Sequence, residues 1–449
     1  MTVQIKFTKL IDTLHSSFWF IPTLMVAIAI LLSFLTIQID QNSKTDIIKN
    51  VGWAYSLGPN GSRAILSAIA GSMVSVATTA FSITIVALQL ASSQFGPRML
   101  RNFMQDTGNQ LVLGTFISTF VYSLMVLRTI NGVNKNEFVP HLAVTVGIGL
   151  ALASVGVLIY FIHHSATSIQ VDNVIGKISE ELEEAIDRFF PTQIGRGASK
   201  HHQEPLSIDI PADFDRESSR IPAYSSSYVQ AIDTDLLMQI AKDEDLLIQI
   251  QHCPGDFVVK GSPLALVYPA AARKKLVKQI NNAFVLGIQR TVQQDLKFPI
   301  EQLVEIAARA LSPGINDPFT AVTCIDRLSA ALCHLAQKEI PSSYRYDDTN
   351  KLRVIAEPVT FEAALDKAFN QIRQYGYNST AVTIRLLDAI AIIAPFTHTK
   401  ADYTALLRHA NTIECGSQNG IVEALDRQDV YTSYQGAVSA IDKHRSKIC

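Results

Sequence analysis

Charge is what this sequence has least of. Only 17% of its 449 residues are Asp, Glu, Lys or Arg, whereas soluble domains usually carry about 25%. With hydrophobic residues at 48%, that shortage points to a membrane protein. A basic excess is also missing: 38 Lys and Arg stand against 40 Asp and Glu, giving a net charge of −2 and no field to hold nucleic acid. Paired cysteine motifs are absent too. The five cysteines, Cys253, Cys324, Cys333, Cys415 and Cys449, include no CxxC spacing, which argues against a disulfide framework or a zinc ribbon. All five lie in the second half, which is therefore expected in a reducing compartment.

The missing charges are concentrated. Four uncharged stretches precede Asp172: Thr13 to Ile39, Ala64 to Pro97, Thr107 to Leu127 and Phe138 to Val171. Each can supply the roughly 20 residues that a helix needs to cross about 30 Å of hydrocarbon. The sequence is thus read as residues 1–170 forming a transmembrane domain, with helices near 17–39, 64–95, 109–130 and 140–164. The first stretch is too long for a signal-peptide core and lacks a small-residue cleavage site before Asp40. Lys and Arg are divided almost evenly between the two sides, so orientation rests on the even span count and the unpaired cysteines. Both termini are expected in the cytoplasm.

Beyond Val171 the pattern changes. Val174, Ile175, Ile178, Leu182 and Ile186 recur at helical spacing among acidic residues, so 171–220 reads as an amphipathic connecting helix and a linker. Residues 221–268 alternate and are β-rich, whereas 269–449 show helical spacing in six or seven segments. Pro254 to Leu264, with glycines at two turns around a short strand, resembles half of a lipoyl or biotinyl-type barrel sandwich. Lys260 lacks the local pattern of a modified lysine, so a structural adaptor is expected. The fold class is membrane α-helical with four transmembrane helices, followed by a cytoplasmic α+β region: a small β barrel-sandwich-like module and a helical domain.

Within the second stretch, Ser67, Gly71, Ser75, Thr78, Ser82, Gln89 and Ser93 fall on one helix face. Small polar faces are the usual glue between membrane helices, and from the stripe alone packing is the stronger explanation. The alternative is a pore, where hydroxyls and an amide replace part of an ion's hydration shell. Two features favour it. The stretch would span about 50 Å as a straight helix, well beyond the bilayer core. It also ends in Gly96-Pro97 beside Arg98 and Arg101, a break with a basic mouth. No carboxylate, Lys or Arg lies deep in any span, which disfavours ion-coupled transport through a proton relay. His141, His163, His164, His201 and His202 lack a Cys or carboxylate at ligand spacing, so no metal site and no cofactor are expected.

The sharpest motif in the helical part is Ala310 to Ala321, ALSPGINDPFTA. One helix is expected to stop near Ser312 and the next to start at Pro318 with Asp317 as its N-cap. Arg290, Asp295 and Asn316 are candidates to join Asp317 in a polar corner. Neither a nucleophile with its base nor a phosphate loop is present, so an enzyme is not expected. Together with GDFVVKGSPLALV and the second apolar stretch, this motif resembles a bacterial family of predicted membrane proteins known as domain of unknown function 2254. The resemblance implies an inner-membrane protein with a cytoplasmic C-terminal region and carries no activity. Two functions remain open. One is a homo-oligomeric channel or passive conduit for an ion or small solute, in contact with membrane lipid. The other is a membrane-anchored sensor or scaffold that binds a partner or ligand.

Overall fold

The structure, a computed structural model, describes residues 18–42, 58–96, 106–131, 138–190, 210–270, 273–292 and 294–445. The chain divides into two compact units, residues 3–173 and, apart from the first two residues, 174–449.

The first unit is helical: α1 Phe20–Asn42, α2 Pro59–Phe95, α3 Thr107–Thr129 and α4 His141–Ser168. The central helix is α3, against which the other three pack. Gly114 makes the α1–α3 contact close, since a Cβ there would collide with the Met25 sulfur. Some polar groups in this interior are paired across helices, as hydrocarbon offers no water to satisfy them. The Tyr122 hydroxyl donates to the Ala143 carbonyl at 3.0 Å, with the Thr36 hydroxyl 3.1 Å away, and Thr119 meets Ser154 at 3.2 Å. Asp40 at the end of α1 accepts from the backbone N–H groups of Leu142 and Ala143 in the first turn of α4. Outward positions of α1 and α4 are Leu24, Ile28, Leu31, Phe34, Leu152, Val155, Ile159 and Ile162, all exposed, as a lipid-facing surface requires.

The four stretches without charge thus become helices, with shifted ends. The largest shift is in α2, which begins at Pro59 rather than near 64 and includes Arg63. Arg63 is accommodated because its guanidinium donates to the Ile130 carbonyl at 2.6 Å. Gly96, at φ 106°, closes the helix by donating its N–H to the Ser92 carbonyl. Among the described residues five helices are long and apolar enough to cross a membrane; the fifth, α10, lies far along the chain in the second unit.

In the second unit α5 Val171–Phe189 presents Val174, Ile175, Ile178, Leu182 and Ile186 as its buried face. Short α6 Phe214–Glu217 leads into β1 Ser219–Pro222, β2 Ser227–Ile232, α7 Thr234–Asp243, β3 Leu247–Ile250, β4 Phe257–Val258 and β5 Pro263–Tyr268. Then come α8 Lys274–Ala283, β6 Phe284–Gly287, α9 Lys297–Ala310, α10 Pro318–Ala336, β7 Tyr344–Tyr346 and β8 Leu352–Ile355. Helices α11 Phe361–Gly376, α12 Thr380–Ile393, α13 Lys400–Gly420 and α14 Ala424–Arg445 complete the unit.

Among the described residues two sheets form, ordered β1-β5-β3-β8-β7 and β4-β2-β6. Pairing is antiparallel except between β3 and β8. Gly255 and Gly261 take positive φ around β4, so the turn reading of this stretch is right. The barrel-sandwich reading finds no such support: β4 and β5 join different sheets, whose apolar core also takes side chains of α7 and α8. Nor does the β part stop at 268. Strands β6, β7 and β8 lie within the stretch read as helical, and β8 escaped notice because all four of its residues are buried and show no alternation.

Candidate functional site

Three places bear on function: the outward face of α2, the corner before α10, and a polar cleft along α11.

On α2 the buried positions are Ser62, Leu66, Ala70, Met73, Ala77, Ala80, Thr84, Ala87, Ala91 and Phe95. Small alanines on this face let α2 approach α3 closely. Gly71, Ser75, Thr78, Ser82, Gln89 and Ser93 are all exposed, centred about 160° around the helix from the buried face at 100° per residue. Packing inside the chain therefore uses the alanine stripe, and the polar stripe is free of it. Ser75, Thr78 and Ser82 return their hydroxyls to the carbonyls of Gly71, Val74 and Thr78, at 3.1, 2.9 and 2.9 Å. Ser93 donates to Leu90 at 2.8 Å. Among the described residues Gln89 has no hydrogen-bond partner. Arg98 and Arg101, the candidate basic mouth, lie outside the described residues.

An interhelical pair that sequence reading missed sits at one end of the first unit. Asp106 caps α3, accepting from Gly108 N at 2.8 Å and Asn109 N at 3.3 Å, and also meets His164 Nε2 at 2.9 Å. The His164 ring stacks on Tyr160 with centroids 5.3 Å apart. These partners are 58 residues apart, so only an i,i+3 signal for the cap was visible in the sequence.

At the corner, Asp317 caps α10 by accepting from Thr320 N at 3.2 Å and from the Thr320 hydroxyl at 2.6 Å. Its own N–H donates to the Ala310 carbonyl at 2.8 Å, and Asn316 sits in the left-handed region at φ 51°. The turn exposes Ile315 and leaves Phe319 81% exposed. Arg290 and Asp295 belong to a different group. Arg290 donates to Asp295 at 2.7 Å from Nε and also pairs with Glu301, while its guanidinium lies 5.3 Å from the Phe298 ring centroid. Asp295 is 2% exposed, and Gly255 lies so close that a Cβ there would collide with its carboxylate.

That group adjoins the cleft, a cavity of about 620 Å³ lined by Lys297, Asp366, Lys367, Asn370, Gln371, Gln374 and Tyr375, with Ala363 at its wall. Lys367 pairs with Glu301 at 2.9 Å. Asp366 accepts from Arg408 at 2.7 Å and from His409 Nε2 at 2.6 Å. His409 is 1% exposed, and its Nδ1 has no partner among the described residues. Burial pushes the imidazole below its ordinary pKa despite the neighbouring carboxylate. Burial raises Asp366, but His409 and Arg408 more than offset it and hold the carboxyl below the usual range. Sequence reading missed the cleft because charged and amide residues along one helix read as a solvated surface.

Apolar helices with lipid-type surfaces, joined to a mixed α/β unit, define a membrane protein with several hydrophobic helices. The chain belongs to the family described as predicted membrane protein, DUF2254, which it matches over residues 15–391. An uncharacterized protein of Mycobacterium tuberculosis is 31% identical over 392 residues, covering 86% of this chain and 73% of the relative. One from Mycobacterium bovis matches to the same extent. No solved structure matches the chain.

Proposed function

We propose that the protein forms a homo-oligomeric passive conduit in the inner membrane, with both termini in the cytoplasm. In this reading α1 to α4 span the bilayer, and α2 of each copy turns Gly71, Ser75, Thr78, Ser82, Gln89 and Ser93 towards a shared axis. Residues 174–449 form a cytoplasmic vestibule or gate, and no catalytic step is assigned to them. The helix α10 belongs to that soluble core, since ten of its 19 residues are buried and its Asp326 pairs with Arg385.

The observation that carries the reading is the position of the polar stripe. Lipid gains nothing from an exposed glutamine amide, whereas water or a second copy of the helix satisfies it. The alternative is a membrane-anchored sensor or scaffold. It is favoured by the hydroxyls of Ser75, Thr78 and Ser82, which their own helix already satisfies without a pore.

Ser82→Leu and Gln89→Leu separate the two. A conduit has free volume at these positions, so flux from liposomes should fall while oligomer size stays the same. If the stripe is a packed interface, the same changes overpack it by about 1–3 kcal/mol and the oligomer should dissociate. Wild-type liposomes that pass no ion or small solute under voltage or osmotic challenge, with a monomeric protein, would overturn the conduit.

A further inference from the structure

Along α11, Ala363, Asp366, Lys367, Asn370, Gln371, Gln374 and Tyr375 recur at spacings of three, four and one, so they share one face of the helix. That face borders the cavity of about 620 Å³, within the roughly 300–1,000 Å³ of small-ligand pockets. Its chemistry is unusual for a merely solvated surface. Three primary amides stand together, Tyr375 is 52% exposed, and the charged groups are mostly held in place from behind. Glu301 fixes Lys367 and is itself fixed by Arg290, while buried His409 and exposed Arg408 hold Asp366.

Lys297 is different. It is the first residue of α9, where a cation adds to the positive end of the helix dipole. Its backbone N–H donates to Asp295 at 3.1 Å, but that carboxylate is already paired with Arg290. Among the described residues its ammonium has no carboxylate partner. Arg290, Lys297 and Lys367 with Asp295 and Glu301 make three cations against two carboxylates. An anion at Lys297 would relieve both the helix dipole and this excess. Asp366 would repel it, a repulsion reduced by Arg408, which Asp366 shares with Glu362, and by the His409 hydrogen bond.

We propose that this cleft binds a small, polar, oxyanion-bearing solute. Lys297 takes the oxyanion, as a phosphate monoester or a carboxylate, while Asn370, Gln371 and Gln374 take hydroxyl or carbonyl groups of the same molecule. This site is separate from the conduit reading, because binding to it can be measured without any flux.

The test is calorimetric titration of the full chain in nanodiscs with ribose 5-phosphate, adenosine monophosphate and citrate, with ribose as the uncharged control. At least one anion should bind with a Kd below about 1 mM, and ribose should not. The phosphate and carboxylate arms distinguish the two sources of the oxyanion. Lys297→Gln should weaken binding on the order of tenfold or more without lowering the melting temperature, and Lys297→Arg should retain most of it. Asn370→Ala should weaken every anion that binds. The proposal is overturned if none of the three anions binds, if ribose binds as well as they do, or if Lys297→Gln binds like wild type.

Discussion

Asn316 and Asp317 divide the work of the turn before α10. Asp317 satisfies the N-terminus of α10, so Asp317→Ala should cost about 0.5–2 kcal/mol and lower the melting temperature of the detergent-solubilised protein. Asn316 tolerates φ 51° better than most residues, so Asn316→Gly should be nearly neutral, whereas Asn316→Val should cost about 1–3 kcal/mol. A stable Asn316→Val protein would mean that the turn relaxes at no cost. The cap was legible in the sequence because Asp-Pro after Gly is a local signal. The company of Arg290 was legible only in part, for Asp295 but not for Glu301 and Lys367. Its partners Asp295 and Glu301 follow it closely, but Lys367 reaches Glu301 only through the packing of α11 on α9. Arg63 shows the opposite failure: a charge that seemed to end an apolar stretch is absorbed by one carbonyl.

Between elements, the α11–α13 contact is set by a buried histidine, and this makes its strength depend on pH. Folding lowers the pKa of His409 through burial, so the unfolded chain binds the extra proton more readily. Its contribution is therefore intact above the unfolded value of about 6.5 and is lost as pH falls through the lower folded value. Asp366, also held low, adds a loss of the same sign at more acidic pH. His409→Gln should flatten the fall in melting temperature between about pH 6.5 and 5. An unchanged slope would place the titration elsewhere. Of the elements that meet water or lipid on one side, α5 was readable from periodicity, and α1 and α4 from the length of their uncharged stretches. Those enclosed on all sides, such as β8, carry no such contrast, and a strand made of LRVI offers nothing to count.

For the molecule as a whole, orientation is the open quantity that the cysteines can report. Cys415 is exposed, whereas Cys324 and Cys333 are buried. With a cytoplasmic second unit, a membrane-impermeant maleimide should leave Cys415 unlabelled in intact cells and label it after lysis. A cysteine introduced at Asn50 should behave in the reverse manner. Labelling of Cys415 from outside would invert the topology and remove the vestibule.

The length of α2 has a mechanical meaning. Its 37 residues form one rod of about 55 Å with no proline after its first position, against a hydrocarbon core of about 30 Å. Upright in such a core, the rod would overhang its support and act as a lever. Rocking it by about 10° around one end would swing the other by roughly 10 Å, a distance comparable to the width of a helix. Force applied to the overhang would thus reach the polar stripe directly, without a hinge to dissipate it.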